Sequence, residues 1–187
     1  TAPPAYGGEL VDRVGFFDTK GLPADTKALS NDVLKEREYI QLSGQILDES
    51  RRILGYELDK LKARSSGVLF FYFSNLDQDS HMYWRAMDKD HPLYTRELGK
   101  QYSNVIRDLY HEMDNTLGDV LKSFDVADKN FTLIVMSDHG FAPFYRCVNL
   151  NTWLLQNGYM QLVNPDLQEE AEVEDNLRFL KRREEGK

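Results

Sequence analysis

The sequence predicts an α/β fold with two short parallel strands, joined by a helix and flanked by further helices. Residues 68–74 (VLFFYFS) and 131–136 (FTLIVM) are apolar runs without helical periodicity, typical of strands buried on both faces. Between them, residues 94–124 carry apolar side chains along one helical face and charged side chains along the other. This strand–helix–strand order favours a right-handed βαβ unit.

The flanking segments supply the remaining helices of the predicted fold. Proline and glycine recur through residues 1–29, which predicts mostly loop there. From Ser30, a suitable N-cap, the apolar residues recur every three or four positions to about residue 64, with a candidate bend at Ser43–Gly44. Residues 149–156 are predicted to form one or two helical turns with Asn149 or Asn151 as the cap.

Composition excludes several classes of protein. The 187 residues are 41% hydrophobic and 12% aromatic, which indicates a globular chain with its own core. A net charge of −8 argues against a nucleic-acid surface, because phosphate contacts need lysine and arginine. No apolar run approaches the roughly 20 residues of a membrane helix. The single cysteine, Cys147, cannot form an internal disulfide, and together with the lack of a visible signal peptide it slightly favours the cytoplasm.

Both ends of the sequence suggest a cut from a longer protein. The chain starts at Thr1 in a loop-like segment rather than at a methionine. It ends in a strongly charged stretch, residues 165–187, that has little apolar surface to bury. We therefore expect a partial domain.

Polar residues follow both predicted strands where each strand ends. Asp77 and His81 come after the first, and Asp138 and His139 come directly after the second. Because the carboxyl ends of parallel strands share one sheet edge, we expect these four side chains to converge. Two carboxylates and two imidazoles suit zinc, and also manganese or iron. The plainer alternative is that Asp138 caps a turn and His139 is a hydrogen-bonded loop residue.

A fifth polar residue lies inside the first of these motifs. Asp79 comes two positions after Asp77 and two before His81. It could hydrogen-bond to a metal-binding histidine and so orient it. A solvated loop position is the interpretation we favour from the sequence.

The two motifs together resemble the alkaline phosphatase superfamily. The Asp-x-x-x-His pattern of residues 77–81 and the SDHGF of residues 137–141 are most similar to its type I phosphodiesterase/nucleotide pyrophosphatase branch, and there to predicted phosphohydrolases and phosphomutases. Further resembling segments are DTKGLPADTKAL, LDQDSHMYW, DHPLY, YHEMD and VNLNTWLLQNGY. The resemblance implies that residues 1–164 are a partial, alkaline-phosphatase-like catalytic domain, followed by a charged C-terminal segment, residues 165–187.

The resemblance also implies a cofactor and an activity. It assigns Asp77 and His81 to one divalent ion and Asp138 and His139 to a second, commonly zinc, with manganese as an alternative. The parent reaction would be hydrolysis of a small-molecule phosphate ester through a covalent phospho-enzyme. The family's Thr or Ser nucleophile, an Asp near its N-terminus and a His nearer its C-terminus have no match here, so we expect these residues alone to be inactive.

Two other functions remain open at this point. One is a phosphomutase of the same superfamily, which would move a phosphoryl group within a sugar phosphate. The other is a non-catalytic metal-binding or interaction domain, which the unmatched nucleophile favours if the 187 residues are the whole protein.

Overall fold

In the computed structural model, the described residues are 3–19, 23–124, 128, 130–146 and 148–161, and they contain seven helices. Three of these lie before residue 63, three between residues 75 and 123, and one near residue 150. They are α1 (Tyr6–Val14), α2 (Thr26–Ser30), α3 (Glu36–Lys62), α4 (Asn75–Met87), α5 (Arg96–Tyr102), α6 (Val105–Ser123) and α7 (Leu150–Gln156).

The contacts divide the chain into two compact units. The first comprises Thr1–Tyr83 and Asn104–Phe141, and the second comprises Trp84–Ser103 and Ala142–Lys187. None of the helices in the part of the chain that the structure describes is long and apolar enough to cross a membrane. The predicted charged segment, residues 165–187, lies outside the described residues, as does Cys147.

Helix α3 organises the first unit. Its buried side chains lie at spacings of one, three, four and seven residues, which place them on one stripe, and the helix packs against α1, α2 and α6. Ser43 and Gly44 lie within the helix and do not interrupt it. The members of the buried stripe are Tyr39, Ser43, Ile46, Leu47, Leu54 and Leu58.

The N-terminal region is more helical than the sequence predicted. Helix α1 buries Leu10 and Val14. It is also held to α3 by polar contacts: the hydroxyl of Tyr6 donates to Oε1 of Glu57 at 2.9 Å, and Nη1 of Arg52 donates to the carbonyl of Val14 at 2.8 Å. The prediction of mostly loop for residues 1–29 is wrong for Tyr6–Val14 and Thr26–Ser30, because Gly7 and Gly8 lie within α1 and do not break it.

The two long helices predicted from periodicity both have different bounds. Ser30 ends α2 instead of capping α3, and α3 begins at Glu36, where the backbone N–H of Lys35 donates to Glu38. The predicted helix 94–124 is two helices, α5 and α6, separated by a break at residues 103–104. The prediction for α7 is confirmed, with the side chain of Asn149 accepting from the N–H of Thr152 at 3.0 Å.

The predicted parallel-strand βαβ core is wrong for the described residues, which contain no strand. Residues 68–73 and 131–136, here called the apolar segments, are irregular backbone. Val68 is 96% exposed and Ile134 is 73% exposed, so neither segment is buried on both faces. A strand completes its hydrogen bonds only through a neighbouring strand, and the described part of the chain contains no such pairing. The predicted helices are present among the described residues, with the connecting helix divided into α5 and α6.

The second unit contains α5, α7 and a hydrogen-bonded loop. The hydroxyl of Tyr145 donates to Oδ2 of Asp88 at 2.6 Å, and the ring of His91 meets the ring of Tyr145 edge-on, with 5.9 Å between centroids. The backbone N–H of Leu93 donates to Nδ1 of His91 at 3.1 Å. These contacts hold two non-helical stretches of the unit together.

Candidate functional site

The first predicted motif lies on one face of α4. Asp77 is in the first turn of this helix and His81 is one turn further on, so both side chains share a face. Oδ1 of Asp77 is 3.4 Å from Nε2 of His81. A carboxylate in the first turn also suits the partial positive charge of a helix N-terminus. The motif was predicted after a strand; the structure places it at the start of a helix that follows an irregular segment.

The second motif is an exposed turn after residues 131–136. The N–H of His139 donates to Oδ1 of Asp138 at 3.1 Å, and Nδ1 of His139 lies 2.8 Å from the carbonyl oxygen of Gly140. Because a carbonyl only accepts, Nδ1 carries the proton of this contact. In the neutral ring, the lone pair is therefore on Nε2.

The two motifs, far apart in the sequence, meet at Asp77. Nε2 of His139 is 3.8 Å from Oδ1 of Asp77 and 3.7 Å from Oδ2 of Asp138. The ring of Phe141 also meets the ring of His81 edge-on, with 4.8 Å between centroids. The structure thus brings Asp77, His81 and His139 around one carboxylate oxygen, with Asp138 beside His139.

The electrostatics of this group favour positive charge next to the carboxylates. The contact with the carbonyl of Gly140 raises the pKa of His139 above its ordinary value, and the carboxylates of Asp138 and Asp77 raise it further. His81, Asp138 and His139 are exposed, and Asp77 is half-buried. The group is therefore open to a ligand from solvent.

The donor atoms are of the right chemical type for a divalent ion, but their arrangement does not amount to a formed metal site. Among the described residues, no group of three or more His, Cys, Asp or Glu side chains is arranged to hold a metal ion. Imidazole nitrogen and carboxylate oxygen are the ligands that zinc uses together in proteins. The chemistry of the residues thus fits such an ion, while the side chains are placed as hydrogen-bonding and ion-pairing partners.

The exposure that we predicted for Asp79 from the sequence is wrong. It is only 4% exposed, so the interpretation as a solvated loop residue is incorrect. Its Oδ2 accepts from the hydroxyl of Ser43 in α3 at 2.8 Å. Burial raises the pKa of Asp79 to about 6, although the hydrogen bond from Ser43 opposes the shift. Its spacing from Asn75 and Tyr83 places the three residues on one face of α4, but no signal in the sequence distinguishes such a polar face from an exposed one.

The sequence contains two other histidines, His91 and His111. His91 is in the second unit, in the loop beside Tyr145. His111 is an exposed residue of α6. His111 therefore provides a natural reference for substitutions at His81 and His139.

One comparison with known proteins gives a result. The sequence matches the family model described as Type I phosphodiesterase / nucleotide pyrophosphatase over residues 17–185. No curated protein and no solved structure matches the chain. The matched range covers both motifs and nearly the whole sequence.

Proposed function

Because the chain belongs to the type I phosphodiesterase/nucleotide pyrophosphatase family, a family of hydrolases acting on small-molecule phosphate esters, we propose that its two motifs hold the divalent metal ions of such a hydrolase. Asp77 and His81 are assigned to one ion, and Asp138 and His139 to the other. Zinc is the proposed metal and manganese the alternative. The reaction proposed for the protein that carries this sequence is the metal-dependent hydrolysis of a phosphodiester or phosphomonoester.

The observation that carries the proposal is the approach of both histidines to one oxygen of Asp77. Nε2 of His81 lies 3.4 Å from this oxygen and Nε2 of His139 lies 3.8 Å from it. Two ligand atoms about 2.0–2.1 Å from a zinc ion, at a tetrahedral angle, are roughly 3.4 Å apart. The 3.4 Å separation of Asp77 and His81, which are assigned to one ion, is close to this value, and the 3.8 Å separation places His139, assigned to the other ion, beside the same carboxylate.

The protonation of His139 adds a second argument. With its Nδ1 proton directed to the carbonyl of Gly140, neutral His139 turns the lone pair of Nε2 towards the carboxylate of Asp77. A positive charge, either a proton on the ring or a cation between them, would stabilise two acceptors placed in this way. Metal-bound histidines usually donate a hydrogen bond from the other ring nitrogen to a carboxylate or a backbone carbonyl.

Bound divalent ions would supply positive charge for an anionic phosphate and activate a hydroxyl or water nucleophile. The chain's own residues contribute position and charge. The carboxylates of Asp77 and Asp138 would attract the cations to the two motifs, on a chain whose net charge is −8. Since these 187 residues contain no match to the family's Thr or Ser nucleophile, we assign no nucleophile to them.

The direct test is to measure zinc binding to this chain by calorimetry. We expect Asp77→Asn to weaken binding by at least tenfold, because it removes the charge of the carboxylate shared by both histidines. His139→Gln should have a comparable effect. Asp114→Asn and His111→Gln, both exposed on α6, are matched controls that should bind zinc as the original chain does. Absence of zinc and manganese binding, or equal binding by Asp77→Asn, would overturn the proposal.

A second measurement separates the alternative activities. The natural gene product containing these residues is incubated with a nitrophenyl phosphodiester and, separately, with a sugar phosphate. Diester hydrolysis that is lost on chelation and in Asp138→Ala supports the hydrolase. Isomerisation of the sugar phosphate without release of phosphate identifies a mutase, and metal binding with neither activity identifies a non-catalytic domain.

A further inference from the structure

Helix α4 has a second polar face, distinct from the face that carries Asp77 and His81. Asn75, Gln78, Asp79 and Tyr83 are all buried, and their spacing of three, one and four residues places them on one side of the helix. Buried polar side chains are costly unless they are hydrogen-bonded. Their partners therefore indicate what this face is for.

The partners form a seam between α4 and α3. Nδ2 of Asn75 donates to the carbonyl oxygen of Ser43 at 2.9 Å and to its hydroxyl oxygen at 3.0 Å. The hydroxyl of Ser43 in turn donates to Oδ2 of Asp79 at 2.8 Å. Further along, the hydroxyl of Tyr83 donates to the carbonyl of Glu36 at 2.9 Å. One serine thus links two successive turns of α4.

A contact outside α3 fixes the same face. Nε2 of Gln78 donates to the carbonyl oxygen of Ala24, just before α2, at 3.1 Å. Hydrogen bonds are directional, whereas apolar contacts tolerate sliding and rotation. A rotation by one residue, about 100° in an α-helix, would break these bonds together and turn Asp77 and His81 away from His139.

We propose that Asp79 and Ser43 are positioning residues: their hydrogen bond, with Asn75, sets the rotation of α4 that aims Asp77 and His81 at the second motif. This inference rests on the proposed function in so far as the aimed pair binds metal. The inference also predicts that His81 lies against Phe141 and Asp77 against His139. That placement does not depend on metal.

The test compares Asp79→Ala with Asp79→Asn. Alanine removes the acceptor of Ser43, while asparagine keeps an acceptor oxygen at the same place. We expect Asp79→Ala to weaken zinc binding roughly tenfold, as the loss of an outer partner does in other metal sites, and Asp79→Asn to recover most of it. Ser43→Ala, a smaller change, should weaken binding in the same direction and covers the case in which Asp79→Ala does not fold.

A stability control separates positioning from general destabilisation. Leu58→Ala removes a buried side chain of α3 four turns beyond Ser43 and should lower the melting temperature without changing zinc affinity. If Leu58→Ala and Asp79→Ala weaken zinc binding equally at equal loss of stability, Asp79 has only a structural role and the inference fails.

A metal-free readout keeps the two proposals distinct. In the chelated protein, the nuclear Overhauser contact between the rings of His81 and Phe141 should be present, retained in Leu58→Ala and lost in Asp79→Ala. If zinc does not bind but this pattern holds, the proposed function fails and the positioning role stands. If zinc binds through Asp77 while Asp79→Ala keeps both the affinity and the ring contact, the positioning role fails and the proposed function stands.

Discussion

Two regions of the first unit contrast in sequence and in burial, and the more apolar of them is the more exposed. In α3, Ile46 and Leu54 are each 7% exposed. In the apolar segments, residues 68–73 and 131–136, Val68, Ile134 and Val135 are largely exposed. Apolar content therefore does not decide which residues form the core.

The difference follows from where each region finds its hydrogen bonds. A helix pairs its backbone groups internally and needs only one face covered, which α1, α2 and α6 provide for α3. An extended segment needs a neighbouring strand for its backbone as well as cover for its side chains. In residues 68–73, Leu69, Phe71 and Phe73 are half-buried while the alternate residues are exposed, so only one face of that segment is covered.

The largest effect should come from removing a core side chain of α3. Leu54→Ala is expected to lower the free energy of unfolding by about 2–5 kcal/mol, because it loses buried apolar surface and leaves a cavity. Leu121→Ala, on α6 at 40% exposure, is the matched control and should cost much less. Urea unfolding followed by circular dichroism measures both. Equal costs would mean that the stripe of α3 is not the core.

Periodicity predicted the helical region well because helix formation is local. The stripe of α3 and the amphipathic face of α6 can be read from spacing alone, and α7 from its asparagine cap. The bounds failed where a local signal was ambiguous: Ser30 is a good cap by composition, yet the chain turns there through Asp32, whose φ is 59°. Strand pairing is not local, so an apolar run could not show whether a partner is present.

The candidate site was predicted for an incorrect structural reason. Asp77, His81 and His139 do approach one another, although no sheet edge in the described residues brings them together. The approach comes instead from α4 lying on α3 through Asn75 and Asp79. Nothing in a helical pattern reveals such a polar seam, since buried polar residues look like surface residues in a sequence.

A smaller effect, an increase in stability, is expected from replacing a glycine inside α3. Gly55 is exposed, and a methyl group added there would meet no atom within 4 Å. Gly55→Ala should raise the free energy of unfolding by roughly 0.5–1 kcal/mol, because alanine loses less backbone entropy in a helix. Thermal unfolding measures the gain. A loss of stability would show that α3 is not continuous at this point in solution.

The loop that carries His91 differs from both α3 and the apolar segments. Its backbone is not helical, yet its side chains make hydrogen bonds and ring contacts within the second unit. Burial lowers the pKa of His91, and Arg85 adds to this, while Asp88 and the carbonyl of Phe144 oppose it. The folded state then binds the proton less tightly than the unfolded state. Stability from this group is therefore present above the ordinary histidine pKa of about 6.5 and is lost as the pH falls through the lower folded value.

His91→Gln should consequently flatten the fall in stability between pH 7.5 and pH 5. Denaturant titrations at several pH values measure the slope for the original chain and the variant. His111→Gln, which changes an exposed histidine of α6, should leave the slope as it is. An unchanged slope for His91→Gln would mean that His91 is not buried in solution.

The smallest expected effect is the one that can overturn the comparison. Ile134→Ala and Ile46→Ala remove the same atoms, one from an apolar segment at 73% exposure and one from α3 at 7%. We expect Ile134→Ala to change the free energy of unfolding by no more than about 0.5 kcal/mol, and Ile46→Ala to cost about 2–5 kcal/mol. Both are measured by urea unfolding at several protein concentrations. If the two costs are equal, the segment 131–136 is buried in solution by another surface. If the cost of Ile134→Ala also grows with protein concentration, that surface belongs to a second copy of the chain.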